Sequence, residues 1–211
     1  CDGNAVNLNV TPAYDTYLWS DASTSSSLSA TASGSYSVVV TDGNGCTSLP
    51  SNTVVVTVNP LPVATITTNG PTTFCQGESL TLTANSADSY YWSTGETTQS
   101  ITITAQNSYE LQITDVNGCT SLLAIQNTSV YSKPSTPYIS AQGPTTFCQG
   151  GATILLGSGG YQNHWLPSGN VSPSILATTT ENVGYFVLNE DGCSSDTVYM
   201  SITVNSLPAT P

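Results

Sequence analysis

A pattern of one cysteine, one tryptophan and a second cysteine occurs three times along this chain of 211 residues. The tryptophans are Trp19, Trp92 and Trp165, so both intervals between them are 73 residues long. Self-similarity at a fixed period of this length is typical of tandem arrays of small structural units. The sequence therefore predicts three successive units, and it favours a modular array over an enzyme.

The six cysteines fall into three pairs whose members lie 45, 44 and 45 residues apart. Units this small bury little apolar area and usually need a covalent staple. Six cysteines allow many connectivities, and the simplest predicts one disulfide within each unit: Cys1–Cys46, Cys75–Cys119 and Cys148–Cys193. Zinc ligation is the rival interpretation, but the sequence has no CxxC or Cys/His cluster. Disulfides persist in oxidising compartments, so we expect an exported, extracellular protein.

Charge is sparse and one-sided in this sequence. Thirteen acidic residues face a single cation, Lys133, and the net charge is -12. Such a surface repels phosphate groups, so we expect neither nucleic acid nor anionic membranes as partners. No apolar stretch is long enough to cross a bilayer, and no signal peptide is visible. We therefore expect no membrane insertion, and an excerpt whose export signal lies elsewhere.

Short runs with alternating apolar residues recur between turn residues, as in Val6, Leu8 and Val10 of the first unit. No window shows the spacing of an amphipathic helix. The predicted fold is all-β: three tandem small immunoglobulin-like β-sandwich domains with one disulfide each, arranged as an elongated rod. The first cysteine of each unit is predicted to precede its strand, and the second to follow a hairpin turn. Proline-rich junctions place the predicted domains at 1–60, 61–134 and 135–207, with 208–211 starting a further linker.

The predicted core consists of the three tryptophans and one tyrosine per unit, Tyr36, Tyr109 and Tyr185, which resemble the corner tyrosine of such sandwiches. Tryptophan and tyrosine are 17 residues apart in the first two units and 20 apart in the third. The tyrosine and the second cysteine are 10, 10 and 8 apart. We therefore expect an insertion in the loop 167–173 and a deletion near Asp191.

Three segments carry a resemblance to a known family. They are Gly70-Pro71-Thr72-Thr73-Phe74-Cys75-Gln76-Gly77, Tyr91-Trp92-Ser93-Thr94-Gly95-Glu96-Thr97-Thr98-Gln99-Ser100-Ile101 and Asn117-Gly118-Cys119-Thr120-Ser121. The sequence resembles the immunoglobulin-like repeats of giant Bacteroidota surface proteins, which are often exported by the type IX system and include gliding-motility adhesins. The resemblance is looser in the first unit, where Ser20-Asp21-Ala22-Ser23 replaces the Ser-Thr-Gly-Glu phrase. It implies a bacterial cell-surface array of spacer units whose partners are neighbouring repeats.

Few side chains offer chemistry. His164 is the only histidine, and strand alternation beside Trp165 predicts that it faces solvent without a catalytic partner. Three turn acids, Asp42, Asp115 and Asp191, are weak Ca²⁺ candidates. The alternative is that these acids hydrogen-bond their own turns. No other cofactor is expected.

Two surface roles stay open. Four loop tyrosines suggest carbohydrate stacking, although exposed strand aromatics are the simpler interpretation: Tyr14, Tyr17, Tyr90 and Tyr161. Asp196-Thr197-Val198 resembles the Bacteroidota O-glycosylation acceptor, which makes Thr197 a candidate for glycosylation.

The sequence favours a structural function: stalk repeats of a large secreted adhesin or filament, with no enzymatic activity. The alternative is a carbohydrate-binding module attached to a larger surface protein or to a polysaccharide-degrading enzyme. Self-association into a filament through unpaired edge strands is a third interpretation.

Overall fold

The computed structural model describes residues 1–210, and every regular element in that range is a β-strand. The all-β prediction is confirmed. Abundant threonine and β-branched residues favour extended backbone, and frequent turn residues keep the strands short. The arrangement is consistent with immunoglobulin-like or fibronectin-like sandwiches. Repeat one denotes residues 1–60, repeat two residues 61–134 and repeat three residues 135–207.

Repeat one contains six strands: β1 (Val6–Asn9), β2 (Thr16–Trp19), β3 (Ser27–Ala30), β4 (Gly34–Tyr36), β5 (Val38–Thr41) and β6 (Val54–Val56). Repeat two contains eight strands: β7 (Ile66–Thr68), β8 (Thr73–Cys75), β9 (Leu80–Ala84), β10 (Ser89–Trp92), β11 (Ser100–Ile103), β12 (Ser108–Thr114), β13 (Ala124–Asn127) and β14 (Ser129–Tyr131). Repeat three contains seven strands: β15 (Ile139–Ala141), β16 (Thr146–Cys148), β17 (Thr153–Gly157), β18 (Gln162–Leu166), β19 (Ser174–Ala177), β20 (Glu181–Leu188) and β21 (Val198–Asn205).

The sheets follow one plan with variations. Their hydrogen-bonded orders are β1-β3, β2-β5 and β4-β6; β11-β9-β7, β10-β12-β13 and β14-β8; and β15-β17-β19 and β16-β21-β20-β18. Two pairs are parallel, β8 with β14 and β16 with β21. Cys75 and Cys148 are the last residues of β8 and β16. The prediction that the first cysteine precedes its strand is therefore wrong for these two residues.

Residue contacts divide the chain into two compact units. Unit one comprises Cys1–Thr67, Leu82–Ile101 and Ser108–Gln126. Unit two comprises Thr68–Thr81, Thr102–Asn107 and the chain from Asn127 onwards. The domain boundaries near residues 60 and 134 stay a prediction.

The three tryptophans are buried, and each indole N–H donates to a backbone carbonyl of the following loop. The acceptors are the carbonyl oxygens of Ser25, Thr98 and Ser172, at 2.8, 2.9 and 2.8 Å. A buried indole needs such a partner, because an unpaired N–H costs free energy in the core. In unit one Trp19 packs with Leu28 and Val38, and in unit two Trp165 packs with Leu155, Tyr185 and Ile202.

Strand register corrects the predicted position of Tyr185. The residues paired with the tryptophans are Val38, Leu111 and Tyr185. Tyr36 and Tyr109 lie two residues before their members of this set, and the residue two before Tyr185 is Val183. Tyr185 therefore does not occupy the framework position of Tyr36 and Tyr109, and the prediction that all three share it is wrong.

The same register corrects the predicted insertion and deletion. From the tryptophan to its paired residue the distance is 19, 19 and 20 positions, and from there to the second cysteine it is 8 in every repeat. Repeat three thus has one extra residue and no deletion near Asp191. The extra residue lies in 166–170, because Trp165 N donates to Asn170 O, whereas Trp92 N donates to Glu96 O, one position nearer.

Candidate functional site

The second cysteine of each repeat, here called the turn cysteine, closes a five-residue turn. Cys119 N donates to Asp115 Oδ1 at 2.8 Å, Asp115 N donates back to Cys119 O, and Gly118 adopts a φ of 76°. A left-handed φ favours glycine, which has no Cβ to clash. Cys46 has the same hydrogen bonds to Asp42, and Cys193 has them to Asn189. The turn thus holds all three cysteine backbones in one conformation.

This turn chemistry accounts for two of the three calcium candidates. Hydrogen bonds from the backbone N–H groups of Cys46 and Asn44 lower the pKa of Asp42, and the N–H of Cys119 is the main cause that lowers the pKa of Asp115. In repeat three the equivalent residue is Asn189, so grouping Asp191 with the other two was wrong. Sequence reasoning missed Asn189, although its position four residues before the cysteine matches. Within residues 1–210 no three His, Cys, Asp or Glu side chains cluster as metal ligands do. Calcium binding stays a prediction.

The first cysteine of each repeat, here called the strand cysteine, also has a repeated backbone frame. The N–H of the next residue donates to a carbonyl at the end of the same repeat: Asp2 to Asn59, Gln76 to Tyr131 and Gln149 to Asn205, each at 2.8 Å. A glycine with positive φ follows in every case: Gly3, Gly77 and Gly150. The strand cysteine is therefore fixed where its own repeat ends and the chain passes into the next one.

The disulfides join one repeat to the next. Cys1 is bonded to Cys119 and Cys75 to Cys193, and both bonds span 118 residues. The Cα–Cα distances of 5.4 and 5.6 Å are typical of disulfides. The predicted connectivity within each repeat, Cys1–Cys46, Cys75–Cys119 and Cys148–Cys193, is wrong. We call each bond between a strand cysteine and the turn cysteine of the following repeat a staple.

Contacts beside the second staple explain this pairing. Tyr131 O holds Gln76 next to Cys75, and the adjacent Ser132 O accepts a hydrogen bond from Asn189 Nδ2 at 2.9 Å. Lys133 Nζ lies 3.4 Å from Asp196 Oδ1. That ion pair is exposed and contributes little stability by itself. Together these contacts place the end of repeat two against the turn of repeat three, within bonding reach of Cys193.

Beside the first staple the contact is apolar. Leu61 and Pro62, which follow repeat one, line a cavity of about 260 Å³ together with Leu122 and Leu123. Leu122 comes three residues after the turn cysteine Cys119. The segment that leaves one repeat thus meets the residues just after the next turn cysteine at both staples.

Cys46 and Cys148 are unpaired and exposed, which contradicts their assignment to disulfides. Both bonded turn cysteines are fully buried. Exposure of the thiol therefore distinguishes an unbonded turn cysteine from a bonded one in the same backbone frame.

His164 does not face solvent as alternation predicts. Its ring stacks on Phe186, with centroids 4.8 Å apart and planes 7° apart. Its Nε2 atom is buried without a hydrogen-bond partner. The neighbouring strand β20 supplies Phe186 directly opposite His164, and that cross-strand aromatic covers the ring.

The remaining candidates lie apart from one another. Tyr17 and Tyr90 are half-buried, and each hydroxyl accepts a backbone N–H of its own loop, from Tyr14 and Ala87. Tyr14 and Tyr161 are exposed. Thr197 is half-buried just before β21. Carbohydrate binding and glycosylation of Thr197 both stay predictions.

No helix in the described part of the chain, residues 1–210, has the length and apolar character needed to span a membrane. No family model matches the sequence, and no curated protein does.

Solved structures give distant similarities. One comes from work on host cell surface retention of a 1.5-MDa bacterial ice-binding adhesin: 16% identity, TM-score 0.37, covering 98% of this chain and 92% of that one. Another, with fibronectin(III)-like modules of Clostridium thermocellum CbhA, has 14% identity and a TM-score of 0.35, covering 67% of this chain and 95% of that one. Neither similarity is close enough to carry a function across, so the function has to be inferred from the staples and their geometry.

Proposed function

We propose that this chain is a run of non-enzymatic spacer repeats in a large secreted cell-surface adhesin or filament, of the kind that Bacteroidota use in gliding motility. The proposal includes three immunoglobulin-like sandwiches arranged as a rod. The observation that carries it is the pair of staples with identical spans of 118 residues. Disulfides in both units support an extracellular location, since they persist in oxidising surroundings.

The two staples overlap along the chain, and that overlap limits extension. Cys75 lies before Cys119, so the residues between them belong to both disulfide loops. The shortest covalent route from Cys1 to Cys193 crosses to Cys119, returns along 44 residues (119 minus 75) to Cys75, and crosses again. The backbone route contains 192 residues (193 minus 1). Fully extended, the two routes reach roughly 150 Å and roughly 650 Å.

A stalk under tension benefits from this connectivity, because pulling reaches the disulfides before most of the chain can lengthen. Spans confined to single repeats would behave differently, since each loop would end before the next one began. An enzyme gains nothing obvious from limited extensibility. We therefore infer a mechanical function for the staples.

Single-molecule pulling of the 211-residue chain, held at residues 1 and 193, tests the proposal. With the disulfides intact we expect the total contour length not to exceed roughly 150 Å. After reduction, or in a Cys75→Ala/Cys193→Ala variant, the contour length should increase by hundreds of ångströms. A Cys46→Ser/Cys148→Ser variant is the matched control and should behave as the unchanged chain. Full extension of the oxidised chain would overturn the proposal.

A further inference from the structure

Cys46 and Cys148 are a turn cysteine and a strand cysteine without partners, so the chain carries both halves of a third staple. We propose that the Cys148 thiol of one copy forms a disulfide with the Cys46 thiol of a second copy, which joins copies head to tail. This goes beyond the spacer function, because it assigns a specific covalent partner to two exposed thiols.

The turn around Cys46 has the conformation of a bonded turn cysteine. Cys46 N donates to Asp42 Oδ1 at 2.9 Å, and Gly45 N donates to Asp42 O at 2.9 Å with a φ of 80° at Gly45. Bonded Cys119 has the same bonds to Asp115 at 2.8 and 2.9 Å. An isolated bridge between strand residues closes both turns, Thr41 with Thr47 and Thr114 with Thr120. No rearrangement is needed to receive a partner.

The strand that carries Cys148 likewise matches the strand of bonded Cys75. Cys148 pairs in parallel register with Asn205, as Cys75 does with Tyr131. The next N–H donates to the carbonyl of that partner residue at 2.8 Å in both places. Gly150 and Gly77 have φ values of 92° and 93°. Both halves of the missing staple are therefore preorganised.

The surface around Cys46 is uncovered where the bonded equivalents are covered. The Cys119 and Cys193 side chains are fully buried, whereas Cys46 is exposed in a shallow cavity of about 210 Å³ lined also by Tyr14 and Val40. Leu49, three residues after Cys46, is 88% exposed. Its equivalent after Cys119 is Leu122, which shares a cavity with the segment leaving the previous repeat. The apolar surface beside Cys46 thus fits the end of another repeat of this kind.

The bond forms by thiol–disulfide exchange with a low-molecular-weight disulfide such as oxidised glutathione. The Cys46 thiolate attacks that disulfide, which gives a mixed disulfide and releases one glutathione thiol. The Cys148 thiolate of the second copy then attacks the Cys46 sulfur and releases the other glutathione. Two protein thiols are oxidised, one glutathione disulfide is reduced to two thiols, and the protons of the protein thiols pass to the leaving thiolates.

The test uses two variants of the full chain with intact staples. Cys46→Ser keeps only the Cys148 thiol, and Cys148→Ser keeps only the Cys46 thiol. Equimolar native protein is incubated with oxidised glutathione, and the dimers are identified by mass. We expect mixed dimers to exceed either dimer of one variant by about tenfold, as a modest surface complementarity requires. In denaturant the same mixture should approach random pairing, with about half of the dimers mixed.

A second measurement separates docking from mere thiol exposure. Leu49→Asp in the Cys148→Ser background places a charge beside Cys46 and should return the native mixture to random pairing. Random pairing of the unaltered native variants, or the absence of mixed dimers, would overturn the proposal. Neither result would affect the pulling experiment, because that experiment depends only on the staples within one chain.

Discussion

Tyr185 pairs with Trp165 across strands β18 and β20, and the centroids of their rings are 4.5 Å apart. The Tyr185 hydroxyl donates to Asn163 Oδ1 at 2.6 Å and accepts from Gly159 N at 3.2 Å. Burial raises the pKa of Tyr185 above its ordinary value, with the Gly159 N–H acting in the opposite direction. The phenol therefore stays protonated and keeps its donor bond in the core of repeat three.

Gly157→Ala tests how tightly this ring is held. A Cβ at Gly157 would fall onto the phenol carbons and hydroxyl of Tyr185, and both residues belong to strands that cannot easily separate. We expect the free energy of unfolding to fall by about 3 kcal/mol, at the upper end of overpacking effects. Denaturant titration measures the change.

Gly70→Ala is the matched control for that experiment. Its added Cβ would lie 3.7 Å from Leu80 Cδ1, which is an ordinary contact. A loss at Gly157 no larger than the loss at Gly70 would show that the ring moves aside freely.

Tyr185 also shows what the sequence could and could not predict. Alternating residues predicted the strands around all three tryptophans, because alternation depends only on which face is buried. The assignment of Tyr185 failed because residue identity was aligned instead of register. Tyr36 and Tyr109 stand two residues before the tryptophan's partner, whereas Tyr185 is that partner. A single extra loop residue hides this difference from the sequence.

Asp115→Asn tests the charged turn. Hydrogen bonding to the backbone N–H of Cys119 lowers the folded-state pKa of Asp115 from its ordinary value of 3.8. The ionised carboxylate therefore stabilises the folded state above pH 4, and this stability is lost as the pH falls through the lowered pKa. We expect the variant to fold normally at neutral pH, since Asn189 occupies the equivalent position in repeat three.

The readout for this variant is the thermal midpoint measured at several pH values below 5. The unchanged chain should lose more stability on acidification than Asp115→Asn does. Asp191→Asn, which changes the net charge equally in another turn, should keep the acid sensitivity of the unchanged chain. An identical acid response of all three proteins would refute the argument.

Removing the second staple by Cys75→Ala/Cys193→Ala should destabilise unit two by about 4–5 kcal/mol, because the closed loop exceeds a hundred residues. Denaturant unfolding of the double variant against the parent chain gives the value. Cys148→Ser, which removes an exposed free thiol from the same unit, should change the free energy by less than about 0.5 kcal/mol. Equal effects of the two changes would mean that the staple contributes nothing.

The disulfide partners themselves were beyond the sequence. A bond of about 45 residues within a repeat and a bond of 118 residues between repeats both keep the same period of 73 residues. Spacing therefore cannot choose between them. The choice is made by the hydrogen bonds that fix Cys75 beside Tyr131, and through Ser132 beside Asn189. These are contacts between distant residues with no local signature.

Ser195→Ala tests a buried polar contact that every repeat shares in form. The Ser195 hydroxyl accepts Val187 N at 3.0 Å in a buried position, and Ser121 and Ser48 do the same for Ile113 and Val40. Alanine leaves the Val187 N–H without this acceptor, so we expect a loss of about 1–3 kcal/mol. Urea unfolding is the measurement. Ser201→Ala, which removes an exposed hydrogen bond to Asn182, should have a much smaller effect.

The overlap of the two staples also determines what happens when the backbone is cut. Any single cleavage between Cys1 and Cys193 falls inside at least one disulfide loop, and a cleavage between Cys75 and Cys119 falls inside both. The two fragments therefore stay covalently attached wherever a protease acts in that range. A surface filament built this way would lose no material at its first nick, so its survival among extracellular proteases depends on a second, independent cut or on reduction.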